Sequence, residues 1–172
     1  LIFFMDGKLV EVVDRTDRVV GTAPRSEVHE TGALHRAVHM WVFNREAKLF
    51  LQKRFPDKPL YPNLWESSVG KQVELNESYE EAALRGLKEE LNLSFSAGLL
   101  PIKFGKTDFG DGRNRELITL FTVVHDGRIK IHTEKMAEGQ FFGLYDVREL
   151  VKENKVTPSF RALFKWWGRE KK

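Results

Sequence analysis

Glu89 and Glu90 stand side by side in a stretch, Gly70–Leu93, that reads as a loop running into a helix. Ser78 followed by Glu81 is a capping-box pattern, which starts the helix near Ser78. Tyr79, Ala83, Leu87 and Leu91 recur at helical spacing and should face a core, with Arg85, Gly86, Glu89 and Glu90 on the other side. Residues three and four apart are neighbours on a helix surface, so Gly86, Glu89 and Glu90 share one patch. Asn92 suits the left-handed conformation that ends a helix. Adjacent carboxylates offer the hard oxygens that magnesium takes. They are equally the groups that decorate a solvated helix, where Glu81, Arg85 and Glu89 would form a ladder worth roughly a few tenths of a kcal/mol per pair.

The elements that must position this stretch can be read in order. Lys8–Asp14 and Arg18–Thr22 suggest two short strands around a turn at Arg15-Thr16-Asp17. Ser26–Thr31 suggests one helical turn closed by Gly32. His35–Asn44 is apolar and aromatic, a buried strand, and Leu49–Phe55 is its partner across a turn. Pro56, Pro59 and Pro62 break the next residues into a loop, and Trp65–Val69 reads as a strand leading onward. Ala97–Lys106 and Glu116–His125 read as strands, with Phe109-Gly110-Asp111-Gly112 a flexible loop between them. Arg128–His132 is short and alternating, and Gln140–Leu144 reads as another strand, with Asp146 capping the helix after it. Thr157-Pro158 starts a last helix, with Phe160, Leu163, Phe164 and Trp167 on one face. Many short strands with a few helices predict a mixed α/β sandwich, and no internal repeat or linker divides it.

Composition sets outer limits. The chain has 172 residues, enough for one domain with a real core. It is 41% hydrophobic and 31% charged, ordinary for a globular protein. A net charge of +3, without a basic stripe, predicts no nucleic-acid partner, and Lys171-Lys172 reads as a solvated tail. Cysteine is absent, which excludes disulfides, thiolate metal sites and cysteine nucleophiles and fits a reducing, cytoplasmic setting. No stretch is long and apolar enough to span a membrane, so no membrane partner is expected. Leu1–Phe4 is too short for a signal peptide, and Met5 reads as a natural start. No pattern fixes the oligomeric state, with a homodimer one open option.

The stretch around Glu89 and Glu90 resembles the Nudix box, G-x5-E-x7-R-E-U-x-E-E-x-G-U with U aliphatic. Glu77, Arg85, Leu87, Glu89, Glu90 and Leu93 match six of its nine fixed positions. Lys71, Gly86 and Asn92 stand where a glycine, a glutamate and a glycine belong. The wider chain, roughly residues 8–165, is similar to the branch that contains isopentenyl diphosphate isomerase. The similarity runs through VVDRTDRVVGTAPRSEVHETGALHRAVHMWVFN, LFLQKRF and YPNLWESSVG. In that branch His29, His35 and Glu116 match three of five metal ligands, whereas Gln72 and Asn114 replace a histidine and a glutamate. Gly70 stands where the isomerase has its essential cysteine, so isomerase activity is not expected.

The resemblance implies a Nudix fold, a mixed β-sheet sandwiched between helices as α/β/α. It implies residues 1–7 as an N-terminal extension and 8–170 as a single domain. It implies a Mg2+- or Mn2+-dependent hydrolase cleaving a diphosphate linkage of a nucleoside diphosphate derivative or similar small diphosphate. The alternative is a catalytically impaired Nudix-fold protein that binds a diphosphate or a protein partner. On the family pattern Glu89, Glu90, Arg85 and Glu77 form the catalytic machinery, and Glu89, Glu90 and Glu116 the metal ligands. Lys71, Lys53, Arg54 and Tyr61 are the expected contacts to substrate, and Phe109 is a further aromatic candidate. Trp41 and Trp65 are expected in the core, and His29 and His35 as satisfied structural residues. Lys71 either grips phosphate in place of a second metal's charge or points to solvent.

Overall fold

The computed structural model describes residues 8–94, 102–112 and 114–170. In chain order the strands and helices are β1 (Leu9–Val13), β2 (Val19–Pro24), α1 (Arg25–Thr31), β3 (His35–Phe43), β4 (Leu49–Lys53), β5 (Trp65–Glu66), β6 (Val69–Gln72), α2 (Tyr79–Leu91), β7 (Ile102–Gly110), β8 (Arg115–Val124), β9 (Glu138–Phe142), α3 (Leu144–Lys152) and α4 (Pro158–Glu170). The expected N-terminal extension and the Lys171-Lys172 tail lie outside the described residues.

β3 is the strand on which the sheet is built. It runs antiparallel to β6 and parallel to β8 over its length, and it touches β1 and β4 at its ends. Both of its faces are covered, which is why its sequence is almost continuously apolar rather than alternating. Val38, Met40 and Val42 pack with Val69, Val73 and the apolar face of α2. Ala37 and Trp41, one residue out of phase, pack with Phe160, Leu163 and Trp167 of α4 and Val147 of α3. Strand alternation thus builds two cores on opposite sides of one mixed sheet, with α2 over one and α3 and α4 over the other. This is the α/β/α sandwich expected. No described helix is long and apolar enough to cross a membrane.

The expected caps form. Ser78 Oγ accepts from Glu81 N–H at 3.2 Å, and Glu81 Oε2 accepts from Ser78 N–H at 2.8 Å. Asn92 takes φ 54°, and Leu93 N–H donates to Leu87 O at 3.1 Å, so α2 closes in a left-handed turn. Gly32, at φ 66°, closes α1 in the same way. Ser78→Ala is expected to lower stability by about 1 kcal/mol, read as a urea midpoint shift without change of slope.

Several expectations are corrected. Trp65–Val69 is not one strand: β5 pairs with β4 and β6 with β3, and Ser67 and Ser68 turn the chain between them. Ser68 spans that break, its hydroxyl donating to Phe50 O and accepting from Val42 N–H. The strand expected over Ala97–Lys106 runs from Ile102 to Gly110, and its first expected residues lie outside those described. Phe109 and Gly110 belong to this strand, paired with Glu116 and Arg115, because the hairpin turn is tighter than the glycines suggest. Phe109 packs against the α4-side core, so it is not a loop contact for ligand. Arg128–His132 is irregular, although Ile129 and Ile131 do pack inward. Asp146 does not cap α3: its N-cap is Gly143, and Asp146 sits in the first turn.

Candidate active site

β6 carries the site. Its alternation sends Gly70 and Gln72 to one side of the strand and Lys71 to the other. Gly70 lies against the His39 ring, and Gln72 lies between His29 and His35. Lys71 lies against α2. Two adjoining cavities, of about 270 and 360 Å3, share the lining residues Arg25, Gly70, Lys71 and Gln72. The smaller also meets His39, Arg54, Tyr61, Glu66 and Glu116, and the larger Arg85, Glu89 and Glu90.

On the α2 side, Lys71 does not point to solvent. Its ammonium lies 3.0 Å from Glu89 Oε2 and 3.0 Å from Glu90 Oε1. Burial works against the charge of Lys71, but the two carboxylates outweigh it and raise the lysine above its ordinary range. Burial also works against Glu89, whose carboxyl is nevertheless held low by Lys71 and Arg85. Glu90 is more enclosed; burial pushes its carboxyl up although Lys71 and Gln52 pull the other way. Glu90 and Gly86, on the face of α2 turned away from its apolar stripe, are nevertheless buried, because α2 packs on β6 as well as on the core.

Arg85 ties the box loop together. Its Nε and Nη2 donate to Glu77 Oε1 and Oε2 at 2.6 and 2.9 Å, and Nη2 also donates to Gln72 O at 3.0 Å. Its Nη1 lies 3.6 Å from Glu89 Oε2. Glu77 Oε2 also accepts from Glu74 N–H at 2.8 Å, which closes the loop before α2. Glu77 and Arg85 thus tie β6 to the start of α2.

On the other side, Gln72 Nε2 donates to Nε2 of His29 at 2.8 Å and of His35 at 3.0 Å. His35 Nδ1 donates to Ala33 O at 2.9 Å. Burial, and then the neighbouring His35, lower His29 below its ordinary range. The amide nitrogen of Gln72 thus bridges both rings. Glu116 is 8% exposed and opposite His35 in register, with Oε1 3.9 Å from His35 Nε2.

His39 was not singled out in the sequence. It shares the inward face of β3 with His35, Ala37 and Trp41, a strand period that could have revealed it. Its Nδ1 lies 2.7 Å from Ser67 Oγ, which also accepts from Trp41 Nε1–H at 3.0 Å, and burial lowers its pKa. Trp41 and Trp65 are core residues as expected. Arg54 and Tyr61 reach the smaller cavity, Arg54 donating to Glu66 Oε2 at 3.1 Å and Tyr61 bonding Asp111. Lys53 is not brought to the described cavities; it pairs with Glu138 at 2.9 Å beside the Trp65 ring.

Burial raises the Glu66 carboxyl from 4.5 to about 7, against the pull of Arg54. Between these values the folded state holds a proton that the unfolded chain has released, so Glu66 makes stability fall as pH rises. The stability of the wild type relative to Glu66→Gln should therefore fall from pH 4.5 to 7 and level off above. Urea midpoints of both proteins across that window test it; a constant difference contradicts it.

Glu89 and Glu90 offer the hard oxygens that Mg2+ or Mn2+ takes, and these oxygens do converge. They converge on the Lys71 ammonium. Glu116 lies in the adjoining cavity beside His35, and among the described residues no three His, Cys, Asp or Glu side chains are grouped to hold a metal ion. As arranged, the residues do not fit the three-carboxylate metal site that the family pattern led one to expect, because β8 places Glu116 across β6 from α2.

Residues 33–167 match the NUDIX domain family model. The chain is 31% identical over 136 residues to an uncharacterized Nudix hydrolase of Pseudomonas aeruginosa, covering 79% of each chain. It is 30% identical over 152 residues to an isopentenyl-diphosphate Delta-isomerase of Aromatoleum aromaticum, covering 88% of this chain and 80% of that one. A crystal structure from Deinococcus radiodurans superposes with a TM-score of 0.78 at 22% identity, covering 92% of this chain and 98% of the other.

Proposed function

The chain belongs to the Nudix family, and from that premise we propose that it hydrolyses a diphosphate linkage in a nucleoside diphosphate derivative or a related small diphosphate. Water attacks one phosphorus, the bridging P–O bond breaks, and two phosphorylated or phosphate products leave. The observation that carries this reading is Lys71, held by Glu89 and Glu90 at the junction of two cavities, with Arg25 lining both. A diphosphate is dense in negative charge and gains more on its phosphoryl oxygens as water adds. The ammonium of Lys71 supplies the complementary charge in a cleft partly closed to water. Glu116, enclosed in the adjoining cavity, is the carboxylate assigned to take the proton of the attacking water. Arg54 and Tyr61 border the space where the rest of the substrate lies.

Alkene isomerisation, the activity named for the Aromatoleum relative, is not assigned to this chain. Gly70 occupies the position of the isomerase cysteine, and the chain has no cysteine. A second reading is specifically favoured by Gly86, which brings no carboxylate to the box: a protein that binds a diphosphate without turning it over.

Phosphate release from nucleoside di- and triphosphates, nucleotide sugars and isoprenoid diphosphates separates the two. Each substrate is run with and without added phosphatase, and in Mg2+, Mn2+ or EDTA, since Nudix enzymes generally use divalent metals. Turnover that disappears with Glu89→Gln/Glu90→Gln supports the hydrolase. No turnover on any substrate, with diphosphate binding intact, overturns it in favour of the binder.

A further inference from the structure

Lys71 and Gly86 are two departures from the box pattern, and the structure brings them into contact. A Cβ on Gly86 would lie 2.7 Å from Val69 Cγ1 and 2.9 Å from Lys71 Cγ, distances that real side chains do not keep. The stem of Lys71 thus crosses α2 over the one residue without a side chain, and its ammonium emerges between Glu89 and Glu90. Arg85 Nη1 lies 3.6 Å from Glu89, but the fork of Arg85 is held by Glu77, so Lys71 is the cation seated between Glu89 and Glu90. The ammonium of Lys71 takes the space between Glu89 and Glu90 and cancels one of their two charges. A site that had merely decayed would not need the clearance at Gly86.

We propose that Lys71 and Gly86 are a matched pair that seats a resident cation between Glu89 and Glu90, where two bare carboxylates would call for a divalent metal ion. Gly86 clears the path, the Lys71 stem packs in it, and the ammonium meets the diphosphate directly. The inference rests on the proposed function for its ligand, but its first test involves no turnover and can succeed or fail independently of hydrolysis.

Mn2+ binding is measured by electron paramagnetic resonance on the wild type, on Lys71→Met, and on Lys71→Met with Glu89→Gln/Glu90→Gln. Methionine keeps the length and apolar character of the stem and removes the charge. Lys71→Met should bind one Mn2+ at least about 10-fold more tightly than the wild type, and the triple variant should lose that gain. Wild-type Mn2+ binding as tight as that of Lys71→Met, and abolished by Glu89→Gln/Glu90→Gln, overturns the proposal even if hydrolysis is found. Calorimetry with inorganic diphosphate in EDTA gives a second reading: the wild type binds, and Lys71→Met binds at least about 10-fold more weakly. Equal affinity overturns the proposal. The pairing itself is read from a double-mutant cycle. Gly86→Ala should shift the urea midpoint less in a Lys71→Ala background, where only the Val69 contact remains. Equal shifts in both backgrounds contradict a matched pair, and Lys71→Gln replaces Lys71→Met should the latter not fold.

Discussion

Replacing Glu89 and Glu90 together by glutamine lowers kcat/KM for diphosphate hydrolysis by at least about 100-fold, the scale lost when one preorganised electrostatic contact to a transition state is removed. The substitution keeps the shape of both side chains and deletes two negative charges. Lys71 then has no counter-charge within the cluster, and its ammonium leaves the junction of the two cavities for water. Each lost contact is a charge-assisted one at 3.0 Å, and Lys71 is too enclosed for solvent to replace both fully. The fold should survive, because Glu90 is a buried carboxylate whose ionisation burial already opposes. Far-ultraviolet circular dichroism shows that the fold is kept, and a urea midpoint lowered by no more than the loss of these two contacts leaves the protein folded under assay conditions. Turnover within a few-fold of the wild type would remove these two residues from the reaction.

Arg85→Ala has the second large effect, on stability and on rate together. The guanidinium makes a two-pronged contact to Glu77, reaches the backbone at Gln72, and lies beside Glu89. Removing it leaves the Glu77 carboxylate and the Gln72 carbonyl without that partner, although Glu77 keeps Glu74 N–H. Glu77 is 13% exposed and Arg85 23%, so solvent screens the loss only in part. A destabilisation of about 2–4 kcal/mol follows. Arg85→Lys should recover little of it, since an ammonium cannot make the paired geometry. Because Gln72 neighbours Lys71, the same change loosens β6 and lowers kcat more than it raises KM. Urea denaturation and steady-state kinetics on both variants check this; a stable, fully active Arg85→Ala would mean that Glu77 holds the loop without it.

Much of the molecule follows from sequence periods alone. The limits of α2, its cap at Ser78 and its left-handed end at Asn92 are legible because each depends on residues within one turn. The faces of α4 and the burial of β3 are legible because apolar patterns repeat along one element. Misreadings cluster where the controlling contact comes from elsewhere in the chain. Trp65–Val69 looks like one strand because its residues suit one; only the partners β4 and β3 divide it. Phe109 looks like part of a glycine loop because register with Glu116 is invisible locally.

The candidate site divides along the same line. The order of residues sets which groups are available: adjacent carboxylates, an arginine and a glutamate at box spacing, a lysine and a glycine out of pattern, and no cysteine. Packing of the elements sets what they do to one another. It laid the Lys71 stem over Gly86, set Gln72 between two imidazoles, and put Glu116 across β6 from Glu89 and Glu90. The reason is geometric. A side chain's periodicity tells which way it faces from its own element, whereas the charge it meets depends on how separate elements cross, and that is fixed only when both cores are packed.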